Sequence, residues 1–70
     1  MKNLIKVERA RKSITQAELA DELKVSRQTI NSIELEKFIP STVLALKIAA
    51  FFKVKIEELF ILEDKDWEIL

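Results

Sequence analysis

The stretch TQAELADELKVSRQTINSIE, residues 15–34, decides the fold of this 70-residue chain. Apolar residues recur every three to four positions in both of its halves, which predicts two short helices that each carry one apolar stripe. The five apolar positions are Leu19, Ala20, Leu23, Ile30 and Ile33. Only Lys24-Val25 separates the two stripes, so the stretch predicts two helices joined by a tight turn.

Polar residues mark where each of these helices begins. Thr15 is followed three positions later by Glu18, which is the spacing of a capping box, and Ser26 stands immediately before the second helix. Two helices that cross at a sharp angle need a small side chain where they approach, which Ala20 supplies, and Val25 is placed to fill the angle. The stretch therefore predicts a compact two-helix unit.

The second helix leaves four hydrogen-bonding side chains on its outer face. These are Arg27, Gln28, Asn31 and Ser32, and none of them is acidic. A helix of this width fits the major groove of B-DNA, where Arg pairs well with guanine, and Asn or Gln with adenine. Any exposed helix face is polar, but together with the caps and the five apolar positions this face favours DNA binding.

Length and composition restrict the class of protein. Seventy residues form one domain with a modest core, and a hydrophobic share of 49% is typical of a globular chain. The chain has no cysteine and no histidine, which removes thiolate and imidazole metal ligands and the commonest general base. It shows neither an 18-residue apolar run nor a signal peptide. We expect a cytoplasmic protein that has no cofactor, does not bind membranes and is not an enzyme.

Charge is unevenly distributed along a chain whose formal net charge is zero. Residues 1–55 hold 11 Lys and Arg against 6 Asp and Glu, a net charge of +5, whereas residues 56–70 hold one Lys and 6 acidic residues, a net charge of −5. This asymmetry favours a basic body that meets phosphate and an acidic end turned away from it. An acidic end that only aids solubility would give the same pattern.

Another helix is predicted before the central stretch. Residues 3–12 have the pattern of a helix capped by Asn3, with Leu4 and Ile5 facing inward. Arg9 falls among the apolar positions of that helix. A half-buried Arg in a small domain usually has a carboxylate partner, so a partner on another element is expected.

The residues after the central stretch predict a loop and two further helices. Phe38 and Ile39 are expected to fold back on the core, and Ser41 is placed to cap a helix over residues 42–52. That helix is apolar nearly all round, which favours a position both central to the domain and shared with a partner. A shorter helix is predicted within residues 54–60.

The last ten residues, ILEDKDWEIL, are too apolar for a frayed end. They are compatible with a hairpin folded over residues 63–66, or with a strand that pairs with its copy on a second subunit. Because an isolated hairpin is marginal in water, dimerisation is the favoured source of order. The remaining alternative is that Trp67 covers the edge of a monomer's core. We therefore divide the chain into a DNA-binding domain at residues 1–60 and a dimerisation segment at residues 61–70.

Beyond these patterns, the chain resembles a known family. The runs SITQAELADELKVSRQTINSIE, EKFIPST and LALKIAAFFKVKIEELF are similar to the phage-repressor and Cro type of helix-turn-helix domain, also called the Xre family. The likeness covers roughly residues 3–60. It implies an all-α, compact five-helix fold of the lambda-repressor type, to which the C-terminal segment would add a short β-strand or hairpin at a dimer interface. It also implies a homodimer on double-stranded operator DNA, with the third helix in the major groove.

The resemblance assigns roles to individual residues. The DNA-binding residues that it implies are Gln16, Arg27, Gln28, Asn31, Ser32 and Lys37. Those on the third helix would face bases, with Asn31 on a base or a phosphate. Gln16 would contact backbone phosphate and, as a further possibility, a base edge, and Lys37 would contact backbone phosphate. Arg9 and Glu34 fall where such domains often hold a partly buried ion pair between the first and third helices.

The chain departs from the family in having no glycine. Other residues occupy four turn positions where such domains often place Gly or Asn, because the backbone there tends towards positive φ. They are Ser13, Lys24, Glu36 and Lys53. A non-Gly residue in that region costs about 1 kcal/mol. Either these turns have another geometry, or packing and dimerisation compensate.

Two functions from different classes follow from these observations. The favoured one is a sequence-specific DNA-binding transcriptional regulator, a repressor that occludes an inverted-repeat operator as a homodimer. The alternative is an antitoxin-like interaction module that binds a partner protein through its acidic, Trp-containing C-terminal segment. The outward face of the third helix would carry the first function, and residues 61–70 would carry the second.

Overall fold

The computed structural model describes residues 1–68. A two-residue strand precedes three helices of eight residues: β1 (Lys2–Asn3), α1 (Ile5–Lys12), α2 (Gln16–Leu23) and α3 (Arg27–Glu34). The later elements are α4 (Thr42–Phe52), α5 (Ile56–Leu59), β2 (Phe60–Ile61) and a 3₁₀ helix (Asp64–Glu68). The predicted five-helix fold is confirmed, with a small two-stranded sheet added to it.

Side-chain caps begin α2, α3 and α4 where the sequence predicts them. The Thr15 hydroxyl accepts the Glu18 N–H at 3.0 Å, and the Glu18 carboxylate accepts the Thr15 N–H at 2.9 Å, which completes the capping box. Ser26 and Ser41 accept N–H groups in the same way at the starts of α3 and α4. Each cap satisfies a backbone donor that a helix cannot pair internally, and each typically contributes about 1 kcal/mol.

One apolar core holds the helices together. All five apolar positions of the central stretch are buried in it, and α1, α4 and α5 add residues to the same cluster. The largest fully buried side chains are Ile5, Leu19, Ile30, Ile33, Ile48 and Leu59. Val25 is half-buried against this core, at the turn between α2 and α3 where the sequence places it.

Three apolar residues expected inside lie at the surface instead. Leu4 immediately precedes α1 and is 41% exposed, and its predicted inward position is wrong. Phe38 and Ile39 are about half exposed, so the prediction that they fold back on the core is also wrong. Pro40 is buried in their place. The reason is local, because hydrogen bonds to the end of α3 fix the course of the loop before it reaches Phe38.

The helix ends resolve the question raised by the absence of glycine. Ser13, Lys24, Glu36 and Lys53 all adopt left-handed backbone conformations, with φ between 55° and 62°. At each site two backbone N–H groups bond back to carbonyls of the preceding turn, the pattern of a Schellman motif. The chain therefore accepts four strained residues, each at a cost of about 1 kcal/mol.

The C-terminal segment packs on the N-terminus of its own chain. β2 pairs antiparallel with β1, with Lys2 opposite Ile61 and Asn3 opposite Phe60. The predicted hairpin over residues 63–66 does not form, because the chain there enters the 3₁₀ helix. A strand is present, but in this single chain its partner is β1. The predictions for Ile69 and Leu70 lie outside the described residues.

An ion cluster fastens this segment to the first residue. The α-ammonium group of Met1 lies 3.1 Å from Asp66 Oδ1 and 3.1 Å from Glu63 Oε1. The hydrogen bond to Asp66 raises the pKa of this ammonium group above its ordinary value, and Glu63 adds to the effect. Asp66 also accepts the N–H of Glu63 at 2.8 Å, which lowers the pKa of its carboxyl group. Residues 61–66 are therefore held to the N-terminus by contacts within one chain.

Candidate nucleic-acid interface

The outward face of α3 is the centre of the candidate site. Ile30 and Ile33 bury the opposite face of this helix in the core, which fixes its rotation about its own axis. Arg27 and Gln28 are consequently exposed. Asn31 and Ser32, one turn further along, are half-buried. The helix thus presents hydrogen-bonding groups without a carboxylate among them.

A bidentate ion pair ties the inner side of α3 to α1. Arg9 Nε donates to Glu34 Oε2 at 2.6 Å, and Arg9 Nη2 donates to Glu34 Oε1 at 2.9 Å. Arg9 Nη1 also donates to the carbonyl of Ile14 at 3.1 Å. The two side chains are only 15% and 7% exposed, so the pair is largely removed from water. The hydrogen bonds to Glu34 raise the pKa of the Arg9 guanidinium group.

The same carboxylate orients a residue at the start of α2. Gln16 Nε2 donates to Glu34 Oε1 at 3.2 Å and to Asn31 Oδ1 at 3.1 Å. An ionised carboxylate can only accept hydrogen bonds, so the Gln16 atom facing Glu34 must be its NH₂ group. The Asn31 atom that receives the other hydrogen must then be its carbonyl oxygen. Glu34 thereby fixes both amide groups, and the Asn31 NH₂ group is the end left for other partners.

Lys37 follows α3 on a backbone held by that helix. Its N–H donates to the carbonyl of Ser32 at 2.9 Å, and the N–H of Glu36 donates to the carbonyl of Ile33 at 2.9 Å. Asn3 also donates its side-chain amide to the Ile33 carbonyl, at 2.8 Å. The Lys37 side chain is exposed. This ammonium group therefore stands beyond the C-terminal end of the helix on a fixed piece of main chain.

A surface groove of about 230 Å³ runs along one flank of α3. Its lining residues are Ser26, Gln28, Thr29, Ser32 and Phe38. Two of the residues that the resemblance places on bases, Gln28 and Ser32, share it with the exposed ring of Phe38. The position of Phe38 at the surface was not predicted, because apolar residue types favour burial in the core. The Gln16–Asn31 hydrogen bond, which joins two helices, was not predicted either.

Other kinds of site are not evident in the described part of the chain. Within residues 1–68, no group of three or more His, Cys, Asp or Glu side chains is arranged to hold a metal ion. No helix over the same residues is both long and apolar enough to cross a membrane.

Comparison with known proteins places this arrangement in a family. A helix-turn-helix family model matches residues 5–59. An uncharacterized HTH-type transcriptional regulator of Methanocaldococcus jannaschii is 56% identical over 66 residues, which cover 94% of this chain and 100% of the relative. YgzD of Bacillus subtilis, of the same description, is 42% identical over 66 residues with the same coverage. A regulator of Archaeoglobus fulgidus is 45% identical over 69 residues, covering 97% of each chain.

These matches extend over nearly the whole described fold. They include both helices of the central stretch, the loop that carries Lys37 and the helices that complete the core. The chain belongs to the Xre-type helix-turn-helix family of DNA-binding transcriptional regulators.

Proposed function

We propose that this protein is a sequence-specific transcriptional repressor of the cytoplasm that occludes an inverted-repeat operator as a homodimer. The observation that carries the proposal is the outward face of α3. Arg27 and Gln28 are exposed on it, while the opposite face is anchored in the core. A rigidly mounted polar helix can enter the major groove and present its side chains to base edges at little entropic cost.

Base reading is assigned to three residues of α3. Arg27 pairs with the O6 and N7 acceptors of guanine, and Gln28 pairs with adenine, since these are the edges their donor and acceptor groups match. Ser32 supplies a hydroxyl group that can donate or accept. Asn31 donates to a base or a phosphate through its NH₂ group, because its carbonyl oxygen accepts the hydrogen bond from Gln16.

Phosphate contacts are assigned to Lys37 and to the start of α2. The Gln16 side chain commits its NH₂ group to Asn31 and Glu34. A phosphate near Gln16 is therefore bound by the main-chain N–H groups of the first turn of α2, which the positive end of the helix dipole favours. The Lys37 ammonium group contacts the next phosphates. These contacts supply salt-dependent affinity without sequence preference.

The homodimer is assigned to the apolar outer face of α4. Val43 is 69% exposed and Leu46 is 51% exposed, and exposed Ala50 continues the same face one turn on. Spacings of three and four residues place all three side chains on one stripe. A second copy covering this stripe would remove it from water and relate two α3 helices by a two-fold axis. Residues 61–70, the other candidate dimer segment, remain a prediction for the same test.

Selection of binding sites from random DNA at two salt concentrations tests the proposal. We expect an inverted repeat whose half-sites lie about one helical turn apart, and an affinity that falls as salt rises. Arg27→Ala should cost about 1–3 kcal/mol and relax the preference at one base pair, whereas Lys37→Ala should weaken all sequences alike. Recovery of no preferred sequence, or an unchanged preference in Arg27→Ala, would contradict the assignment of the reading face.

Two exposed leucines provide a matched test of the dimer. Leu46→Asp places a charge on the α4 face, and Leu62→Asp places one on the C-terminal segment, where Leu62 is 59% exposed. We expect sedimentation to show a monomer for Leu46→Asp and a dimer for Leu62→Asp. The opposite result would assign dimerisation to residues 61–70. A monomeric wild type that still binds its operator would contradict the homodimer.

The exposure of Trp67 supports the second candidate function, a module that binds a partner protein. Its side chain is 71% exposed and stands between Asp66 and Glu68. A basic, apolar surface on another protein would match it. Trp67→Ala should leave DNA binding unchanged under both functions. Under the second alone, Trp67→Ala should lose a protein that copurifies with the wild type.

A further inference from the structure

The groove beside α3 is lined by one apolar side chain, Phe38, that the proposed base contacts do not use. Phe38 lines it and is 49% exposed. Thr29 lines it too, but the Thr29 hydroxyl lies 2.8 Å from Ser26 Oγ, and the Thr29 N–H donates to the same Ser26 oxygen at 3.1 Å. The lining residues therefore include two that carry apolar groups, namely the phenyl ring of Phe38 and the methyl group of Thr29.

The groove is also lined by residues that can form hydrogen bonds. Gln28 and Ser32 line the same groove, and both can donate a hydrogen bond. No lining residue is charged. A matching ligand presents a hydrogen-bond acceptor next to a small apolar group. Among the major-groove edges of the four bases, only thymine combines these features, with its O4 acceptor beside the C5-methyl group.

We propose that Phe38 is a specificity-determining residue that reads the C5-methyl group of a thymine in each half-site. The methyl group would rest against the Phe38 ring and the Thr29 methyl group, with Ser32 donating to O4. The inference rests on the proposed function, since the groove can meet a base only if α3 lies in the major groove. The backbone supports it, because hydrogen bonds at Glu36 and Lys37 fix the loop that carries Phe38.

Replacing thymine by deoxyuridine tests the inference, because it removes the methyl group and leaves O4 in place. Each thymine of the selected operator is replaced in turn, symmetrically in both half-sites, and binding is measured for the wild type and for Phe38→Ala. Burial of one methyl group corresponds to about a fourfold change in affinity per half-site. We expect that loss for the wild type at one position. Phe38→Ala should bind the thymine operator less tightly and be insensitive to deoxyuridine there.

Two further variants complete the design. Phe38→Leu keeps an apolar side chain and should retain part of the sensitivity to deoxyuridine. Trp67→Ala removes another exposed aromatic side chain, outside the groove, and should retain all of it. Both variants are compared with the wild type for dimer content in the same buffer.

Four results would overturn the inference. An equal deoxyuridine loss in Phe38→Ala and the wild type would place the ring on some other part of the DNA. Loss of the dimer in Phe38→Ala would make the ring a contact between subunits. A wild type that selects an operator but tolerates deoxyuridine everywhere would refute this inference alone, whereas a wild type that selects no operator would refute the proposed function as well.

Discussion

At the ends of α1, α2 and α4 the chain turns back onto the core, whereas at the end of α3 it stays at the surface. All four ends share the same hydrogen-bond pattern and a left-handed residue. After three of them comes a half-buried apolar side chain, namely Ile14, Val25 or Val54. After α3 come the exposed residues Lys37 and Phe38.

This difference shows that the hydrogen bonds at a helix end do not determine whether the side chain that follows is buried. A Schellman motif is commonly accompanied by an apolar contact between the residue after the left-handed position and the helix. The first three helix ends keep that contact and gain stability from it. The end of α3 keeps the hydrogen bonds and gives up the contact, so its side chains are free for a ligand. The surface that departs from the common pattern is the one assigned to DNA.

The largest effect is expected at the ion pair that holds Glu34, the last residue of α3, against α1. Glu34→Ala leaves the Arg9 guanidinium group without its partner in a site that is only 15% exposed. We expect it to lower the free energy of unfolding by about 2–4 kcal/mol, measured by urea denaturation. Glu36→Ala is the matched control, because within residues 1–68 that exposed carboxylate has no such partner, and it should change stability by less than about 0.5 kcal/mol.

A double replacement separates the charge from the packing at this ion pair. Arg9→Met combined with Glu34→Leu removes both charges together and should recover most of the lost stability. It should not recover operator specificity, because Gln16 and Asn31 lose the carboxylate that orients them. Equal stability of the Glu34→Ala and Glu36→Ala proteins would show that the ion pair contributes little.

The next effect comes from exchanging the residues that distinguish the helix ends. Val25→Lys places at the end of α2 the residue type found at the end of α3, and should cost about 2 kcal/mol because a half-buried apolar side chain is lost. Lys37→Val makes the reverse change and should alter stability by less than about 0.5 kcal/mol. It should also weaken binding to all DNA sequences alike and reduce the salt dependence. A marked gain in stability in Lys37→Val would mean that the loop can fold back after all.

A smaller effect, a gain in stability, is expected at the left-handed residue that all four helix ends share. Lys24→Gly relieves a left-handed conformation of φ 59° and should raise stability by up to about 1 kcal/mol. For a domain of this size, that gain raises the melting temperature by about 4–8 °C. Glu22→Gly, two residues earlier within α2, should lower stability by about 1 kcal/mol instead. The selected operator should be unchanged in Lys24→Gly, and a lower melting temperature would contradict the strain argument.

The smallest effect is expected at the C-terminal segment, where Glu63 and Asp66 contact the ammonium group of Met1. The Met1 ammonium group has a raised pKa in the folded protein. The stability that this ammonium group adds to the fold is therefore complete below its ordinary pKa and is lost as pH rises through the raised value. Asp66 has a lowered pKa, so its contribution is present above its ordinary pKa and is lost as pH falls through the lowered value.

Asp66→Asn isolates this contribution. With an untagged N-terminus, it should melt at a lower temperature than the wild type near pH 7. That difference should shrink as pH rises above 8 and the ammonium group deprotonates, and also as the wild type is acidified below pH 4. A difference that stays constant across this range would show that the ion cluster does not stabilise the fold.

The parts of this fold that could be predicted from sequence are those set by near neighbours in the chain. The caps at Thr15, Ser26 and Ser41 depend on residues three positions away, and the apolar stripes of α2 and α3 repeat within one or two turns. Both signals are contained in a short window, and both are confirmed. The left-handed positions belong to the same class, since they follow directly from where the helices end.

The features that could not be predicted depend on contacts distant in the chain. β1 and β2 are two residues each, too short to show a periodic pattern, and they pair across nearly the whole sequence. Phe38 was expected inside because its residue type favours burial, and nothing nearby in the sequence reports where its loop leaves α3. The Gln16–Asn31 bond has the same origin, because it requires the crossing angle of two helices.

The ion pair between α1 and α3 has a consequence for how DNA binding can be observed. Arg9 Nε carries a single hydrogen, directed at Glu34 and sheltered from solvent exchange, so it should give a resolved resonance in a nitrogen-correlated NMR spectrum. Glu34 also receives the Gln16 amide, which touches Asn31. Docking of a duplex against Asn31 would be relayed through these two hydrogen bonds to that resonance. The resonance of a residue on α1 would thus report the arrival of DNA at α3.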